Sequence, residues 1–260
     1  MIKRFDMKIN SARLKAQARG HLSGRYLALI VAFIMANVIT NLPSMLLGYN
    51  FPTRTGTTVL IEFAVSFLVY LISCIFVVGQ DHICLLYARD KAMIPVSEMW
   101  FGFKNHADDT IKITVTVFLR YVTTGLPFFA LLYYYRYKNP VDYALALVIV
   151  SGVITAIIWI RIALSYSLSY FILLDFPSKN TKEILDMSRD MTKSRMWQLF
   201  CLICSFIGVY VLGLLSFGIG LLWVRPYIRM TLTEFYLNLL PGKQVLDITV
   251  DDSTSLNNGS

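Results

Sequence analysis

Long apolar runs separated by short basic stretches set the rhythm of this chain. The runs cover roughly Tyr26–Leu47, Thr58–Gly79 with a possible extension to Tyr87, Ile111–Tyr135, Tyr143–Leu174, and a final region from Trp197 to Leu240. Lipid offers no partner to an unpaired backbone amide or carbonyl, so runs of about 20 apolar residues read as transmembrane helices. The fourth run is too long for a simple crossing and predicts strong tilt or a continuation beyond the bilayer. The final region allows two readings. Leu199–Val224 alone is 26 uncharged residues, about 39 Å as a helix and enough for one tilted span. Alternatively, Phe217-Gly-Ile-Gly220 is a turn, because glycine accepts backbone conformations that end helices. The turn gives a fifth span over Trp197–Ser216 and a sixth over Leu221–Leu240.

A second pattern precedes the spans. Leu14, Ala18 and Leu22 fall at i, i+4, i+8. Val96, Met99, Trp100 and Phe103 fall at i, i+3, i+4, i+7. Ile184, Met187 and Met191 fall at i, i+3, i+7. Each is one apolar helix face among basic neighbours. Asn180 and Glu183 resemble a capping box at the start of the third stripe. The stripes favour the six-span reading: three repeats, each an interfacial amphipathic helix followed by a transmembrane hairpin. The expected fold is therefore all-α, a polytopic helical bundle in one domain over 1–240. Its approximate repeats are 11–87, 95–174 and 180–240, with a short polar tail over 241–260. Gly208, Gly213, Ser216 and Gly220 suit close approach of neighbouring helices. Gly218 belongs to the turn, and Pro226 is expected to bend the returning helix.

Charge orients the bundle. The N-terminal segment and the second and fourth loops carry sixteen Lys and Arg, against three in the first and third loops. The positive-inside rule places the N-terminus in the cytoplasm, and six spans place the C-terminus there too. The net charge of +8 is explained by this topology and by anionic inner-leaflet lipid, so nucleic acid is not an expected partner. Composition agrees: 56% hydrophobic and 15% charged, against about 45–50% and about 25% for soluble domains. The charged N-terminal region is too long for a cleavable signal, so the first span reads as retained.

Charges inside spans are the candidate functional groups, because a charge at the bilayer centre costs about 2.5–3.5 kcal/mol on insertion scales. They are Glu62, Asp81 at the span edge, Arg120, Arg161, Arg225, Arg229 and Glu234. Arg120 and Arg161, at similar depth, call for an anionic partner: Asp81, a lipid phosphate or a substrate. A buried pair or snorkelling to the headgroups is the structural alternative. Cys201-x-x-Cys204 lacks a thioredoxin-like setting and reads as buried thiols. Asp81-His82-x-Cys84 and His106-Ala-Asp108-Asp109 lack a metal-ligand spacing, so no metal and no cofactor are expected. Gly-x-Ser-x-Gly, His-Glu-x-x-His and Walker signatures are missing from the sequence, which argues against the commonest hydrolase and nucleotidase chemistries.

Several local motifs resemble those of the bacterial integral-membrane family of unknown function number 975. They are Trp100-Phe-Gly-Phe103, Asp175-Phe-Pro177, Ser188-Arg-Asp-Met191, Trp197-Gln-Leu-Phe200, Ser205-Phe-Ile-Gly208, Gly218-Ile-Gly220, Arg225-Pro-Tyr227 and Glu234-Phe-Tyr236. The family usually has an aromatic after the Ser-Phe-Ile-Gly block, where this chain has Val209. A looser likeness runs to the membrane portion attached to some glycerophosphodiester phosphodiesterases, without their catalytic domain. The resemblance implies a six-span protein of the bacterial cytoplasmic membrane and supplies no activity or site residues. The leading expectation is a non-enzymatic protein that binds a lipid, a peptide or a membrane partner, including its own kind. The alternatives are a small transporter or channel subunit for an anionic or amphipathic substrate, and a membrane-embedded lipid enzyme.

Overall fold

A computed structural model describes residues 11–26, 29–36, 38, 56–89, 94–137, 144–216 and 220–240. Among these, every regular element is helical: α1 (Ser11–Leu22), a helical run over 29–36, α2 (Gly56–Ala88), a 3-10 turn (Val96–Trp100), α3 (Phe101–Asn105), α4 (Ala107–Tyr137), α5 (Ala144–Tyr166), α6 (Ser169–Asp175), α7 (Thr181–Lys193), α8 (Met196–Cys204), α9 (Ile207–Leu215) and α10 (Leu221–Leu239). Four helical stretches among the described residues are long and apolar enough to cross a membrane: Gly56–Ala88, Ala107–Tyr137, Ala144–Asp175 and Met196–Leu215. Their outer faces carry large bare side chains, such as Leu60 at 69% exposure and Leu215 at 73%. Apolar surface on this scale is costly in water and ordinary in lipid. The expected first span lies largely outside the described residues, as do Gly218 and the tail over 241–260.

The chain gathers into two compact units, Met1–Asn105 with Phe200–Ser260, and His106–Leu199. In the first unit α2 changes character along its length. Its beginning is mostly exposed, whereas from Cys74 to Ala88 it is largely buried. The buried part packs against the 3-10 turn, α3 and α10. Glycine makes this approach possible at two places. Gly79 lies against the carbonyl of Met99, and a Cβ on Gly102 would sit 2.5 Å from the Ile75 carbonyl oxygen. Phe76 fills the adjoining space edge-on to Trp100 and Phe103, with ring centroids 5.4 and 4.8 Å away. The segment 96–103 is thus a tight turn running into a short helix, not one continuous α-helix. Pro95, itself in extended backbone, starts the turn.

α10 carries the longest unbroken run of buried positions among the described residues, from Met230 to Leu237. α1 lays Leu14, Ala18 and Leu22 into protein, chiefly against α10. α10 continues through Pro226. The proline is the sixth helical residue, so only the bond to the Leu222 carbonyl is lost. Before α10, Gly213 and Gly220 touch: a Cβ on Gly220 would lie 2.8 Å from Gly213 Cα. Ser216 ties the two, donating to the Gly213 carbonyl at 2.7 Å and accepting from the Gly220 amide at 2.8 Å. Gly208 faces open space.

In the second unit α4 and α5 pack along their length. Gly125 admits Trp159 and Phe129, and Gly152 admits Phe128. The long fourth run breaks after Tyr166 and resumes as α6. The break has a chemical cause. The Ser165 carbonyl accepts from Ser188 Oγ at 2.8 Å and Thr192 Oγ1 at 3.3 Å, both on α7. Ser167 Oγ turns back on the Leu164 carbonyl at 2.8 Å. Such local bonds compete with the helical ladder. Asn180 holds the N-cap position of α7 but makes no capping hydrogen bond. Glu183 instead sits 3.7 Å from Lys179, so the capping-box expectation gives way to an i, i+4 ion pair. The docks of α3 on α2 and of α7 on α5 share a register: 23 residues separate Gly79 from Gly102, and 23 separate Ser165 from Ser188.

Candidate functional site

Several charges of the first unit that the sequence sets among apolar residues, Asp81, Arg225, Arg229 and Glu234, gather on or beside α10. Arg229 Nη2 donates to Asp81 Oδ2 at 2.6 Å, joining α10 to α2. The Asp81 side chain is 1% exposed and that of Arg229 is 23%. One turn earlier on the same face, Arg225 is exposed. One turn further along, Glu234 is fully buried, its Oε1 3.5 Å from His21 Nε2 of α1. Arg229 and Glu234, five apart on one helix, therefore serve different partners.

A cavity of about 280 Å³ opens beside the Asp81–Arg229 pair. α2 contributes Ser73, Phe76, Val77 and Gln80, α10 contributes Arg225, Ile228 and Arg229, and the helical run contributes Phe33 and Ala36. A second cavity of about 280 Å³ shares Phe33 and Arg225 and is otherwise apolar, lined by Ile34, Val38, Leu221 and Leu222. Two guanidinium groups one helical turn apart, beside an amide, a hydroxyl and apolar walls, are chemically suited to an anion with an apolar body.

The remaining sequence-derived candidates are dispersed. Glu62 lies half-buried on the largely exposed part of α2. Arg120 and Arg161 belong to the second unit, where Arg120 sits 4.8 Å over the Tyr166 ring and Arg161 is exposed on α5. Asp81 is taken by Arg229. His82 points elsewhere, stacked on Phe101 with centroids 3.8 Å apart and 3.5 Å from Glu98 Oε2. Asp81, His82 and Cys84 do not converge, and no metal-binding cluster occurs among the described residues. All four cysteines are free thiols. Of the stripe residues, Leu14, Leu22, Met99 and Ile184 are buried, Val96, Phe103, Met187 and Met191 are half-buried, and Trp100 is exposed.

Sequence reasoning missed the α2 wall of the cavity. The signal was present: Ser73, Phe76, Val77 and Gln80 fall at i, i+3, i+4, i+7, with Ser and Gln breaking an apolar run. An uncharged polar residue in such a run carries less weight than an arginine, and Phe33 and Ala36 look like any lipid-facing pair.

These features define a protein whose described residues are helical, with several helices suited to a membrane and a basic, partly apolar cavity lined by α2, α10 and the helical run over 29–36. The chain belongs to the family described as "Protein of unknown function (DUF975)", whose profile matches residues 7–243. No curated protein and no solved structure matches it.

Proposed function

We propose that this chain is a non-enzymatic, multi-pass protein of the bacterial cytoplasmic membrane that holds an anionic phospholipid in the cavity between α2 and α10. The observation that carries the reading is the pairing of Arg225 and Arg229 on the α10 wall, with Ile228 beside them, and Phe33, Phe76 and Val77 on the others. The guanidinium groups suit a phosphodiester, because planar donors bind such oxygens with directed, charge-assisted bonds. The cavity volume suits a headgroup, leaving acyl chains to the surrounding bilayer. The topology that accompanies this reading is six spans with both termini in the cytoplasm, supported by the Lys and Arg distribution together with the three hairpin repeats.

The test is binding of dioctanoyl phosphatidylglycerol to the detergent-solubilised protein by calorimetry, beside dioctanoyl phosphatidylcholine and glycerol phosphate. Phosphatidylglycerol binds best on this reading. Glycerol phosphate binding equally well would make the ligand a soluble anion. Arg225→Gln loses about tenfold or more in affinity, since a hydrogen bond to a charged group is worth about 1.5–3 kcal/mol. Unchanged affinity in that variant would remove Arg225 from the site. A lipid flux in proteoliposomes that Arg225→Gln abolishes would turn the reading from holding to transport.

A further inference from the structure

The Asp81–Arg229 pair stands where a ligand's charge must compete with it. Arg229 both lines the cavity and bonds Asp81. Asp81 is wholly buried, and while its Oδ2 accepts from Arg229, its Oδ1 has no hydrogen-bond partner among the described residues. A buried carboxylate with only one of its oxygens satisfied depends heavily on its counter-charge.

The other groups around it do little to replace that charge. On α10, Arg225 faces the cavities, and Glu234 lies near His21 of α1. On α2, Cys84 is a buried thiol near Asp81, and His82 is engaged by Phe101 and Glu98 from the adjoining turn and α3. Arg25, following α1, lies 5.3 Å from the ring of Tyr87.

Resting on the proposed anion site, we propose that binding there is coupled to protonation of Asp81. A phosphodiester entering the cavity draws the Arg229 guanidinium toward itself. Asp81 then loses its counter-charge in a low-dielectric setting, and its carboxylate takes up one proton from solution. The bound state holds the Arg225 and Arg229 charges and one phosphodiester charge, with Asp81 as a neutral acid, so the net charge of the site is the same before and after binding. Because the bound state holds more protons, affinity rises as pH falls. Asp81 thereby makes the site a pH-sensitive receptor, and Arg229 is the shared element.

The experiment titrates dioctanoyl phosphatidylglycerol into the full-length solubilised protein between about pH 8 and about pH 5, where the phosphodiester keeps a single charge. In the wild type, affinity climbs as pH falls, by at most about tenfold per pH unit for one coupled proton. Asp81→Asn binds at least as tightly as the wild type at the alkaline end and shows no slope. Arg225→Gln weakens binding at every pH and keeps the slope. A second measurement needs no variant: mixing wild-type protein and lipid in weakly buffered solution removes up to one proton from solution per lipid bound. Binding without a slope or proton uptake overturns the coupling and leaves the lipid site standing. An equal slope in Asp81→Asn assigns the proton to another group and also overturns it. No binding at any pH overturns both readings.

Discussion

A buried ion pair is expensive to assemble and more expensive to halve. Removing one partner of such a pair costs about 3–5 kcal/mol, because the other charge is stranded, whereas replacing both with apolar side chains is often neutral. Arg229→Leu should therefore lower the thermal midpoint of the purified protein far more than the double change Asp81→Leu with Arg229→Leu. Equal losses would show that the pair is not coupled. The glycines give a second contrast. Alanine in place of Gly79 would ordinarily favour a helix by about 1 kcal/mol. Here the Met99 carbonyl occupies the site of the new methyl group, and overpacking of this kind costs about 1–3 kcal/mol. Sterics win: Gly79→Ala lowers the midpoint, whereas Gly208→Ala, with open space around it, leaves it level or raises it. His106, which precedes the apolar helix Ala107–Tyr137, makes stability depend on pH. Burial holds its pKa below the ordinary 6.5, with Asp109 pulling the other way. The folded form thus favours neutral imidazole. Its contribution is complete above 6.5 and disappears as pH falls through the lowered value. A His106→Asn variant should lose less stability between about pH 7.5 and about pH 5 than the wild type, followed by thermal unfolding.

Among elements, the amphipathic segments turn their apolar faces onto neighbouring helices. α1 engages α10, the 3-10 turn with α3 engages α2, and α7 engages α5 and α6. Their apolar faces were legible in the sequence, because periodicity records that a face exists. What covers the face was not legible, because lipid and protein present equally apolar partners to Leu14 or Ile184. The break after Tyr166 was equally hidden, since it arises from side chains about 23 residues downstream. Ser188→Ala with Thr192→Val removes both donors to the Ser165 carbonyl. Amide exchange in that double variant should quicken at 167–170, while amides early in α5 keep their wild-type rates. Unchanged exchange at the break would mean that Ser167 alone maintains it.

For the molecule as a whole, the apolar windows of the chain carry most of the legible information. Four of them are helices suited to a membrane, because twenty apolar residues have few other fates. The cavity was only half legible. Arg225 and Arg229 stood out as charges in an apolar region, but their opposite wall comes from α2, about 150 residues away in sequence. No local pattern encodes that pairing. The proposed topology makes a direct prediction at this scale. A tag following Ser260 should resist labelling from outside intact cells and react only after the membrane is opened, while labelling in intact cells would restore the five-span reading.

The meeting of α1 with α10 has a consequence for biosynthesis. α1 is synthesised well before α10, the element that chiefly buries Leu14, Ala18 and Leu22. The second unit is contiguous in sequence, 106–199, so its partners all exist well before synthesis ends. The first unit must wait for Leu221–Leu239. During that interval the apolar face of α1, with Leu14, Ala18 and Leu22, has no α10 to pack against. A nascent protein stopped at Gly220 would keep its second unit intact but leave α1 unclasped, marking it for proteolysis in a way that a tail truncated after Leu240 would not.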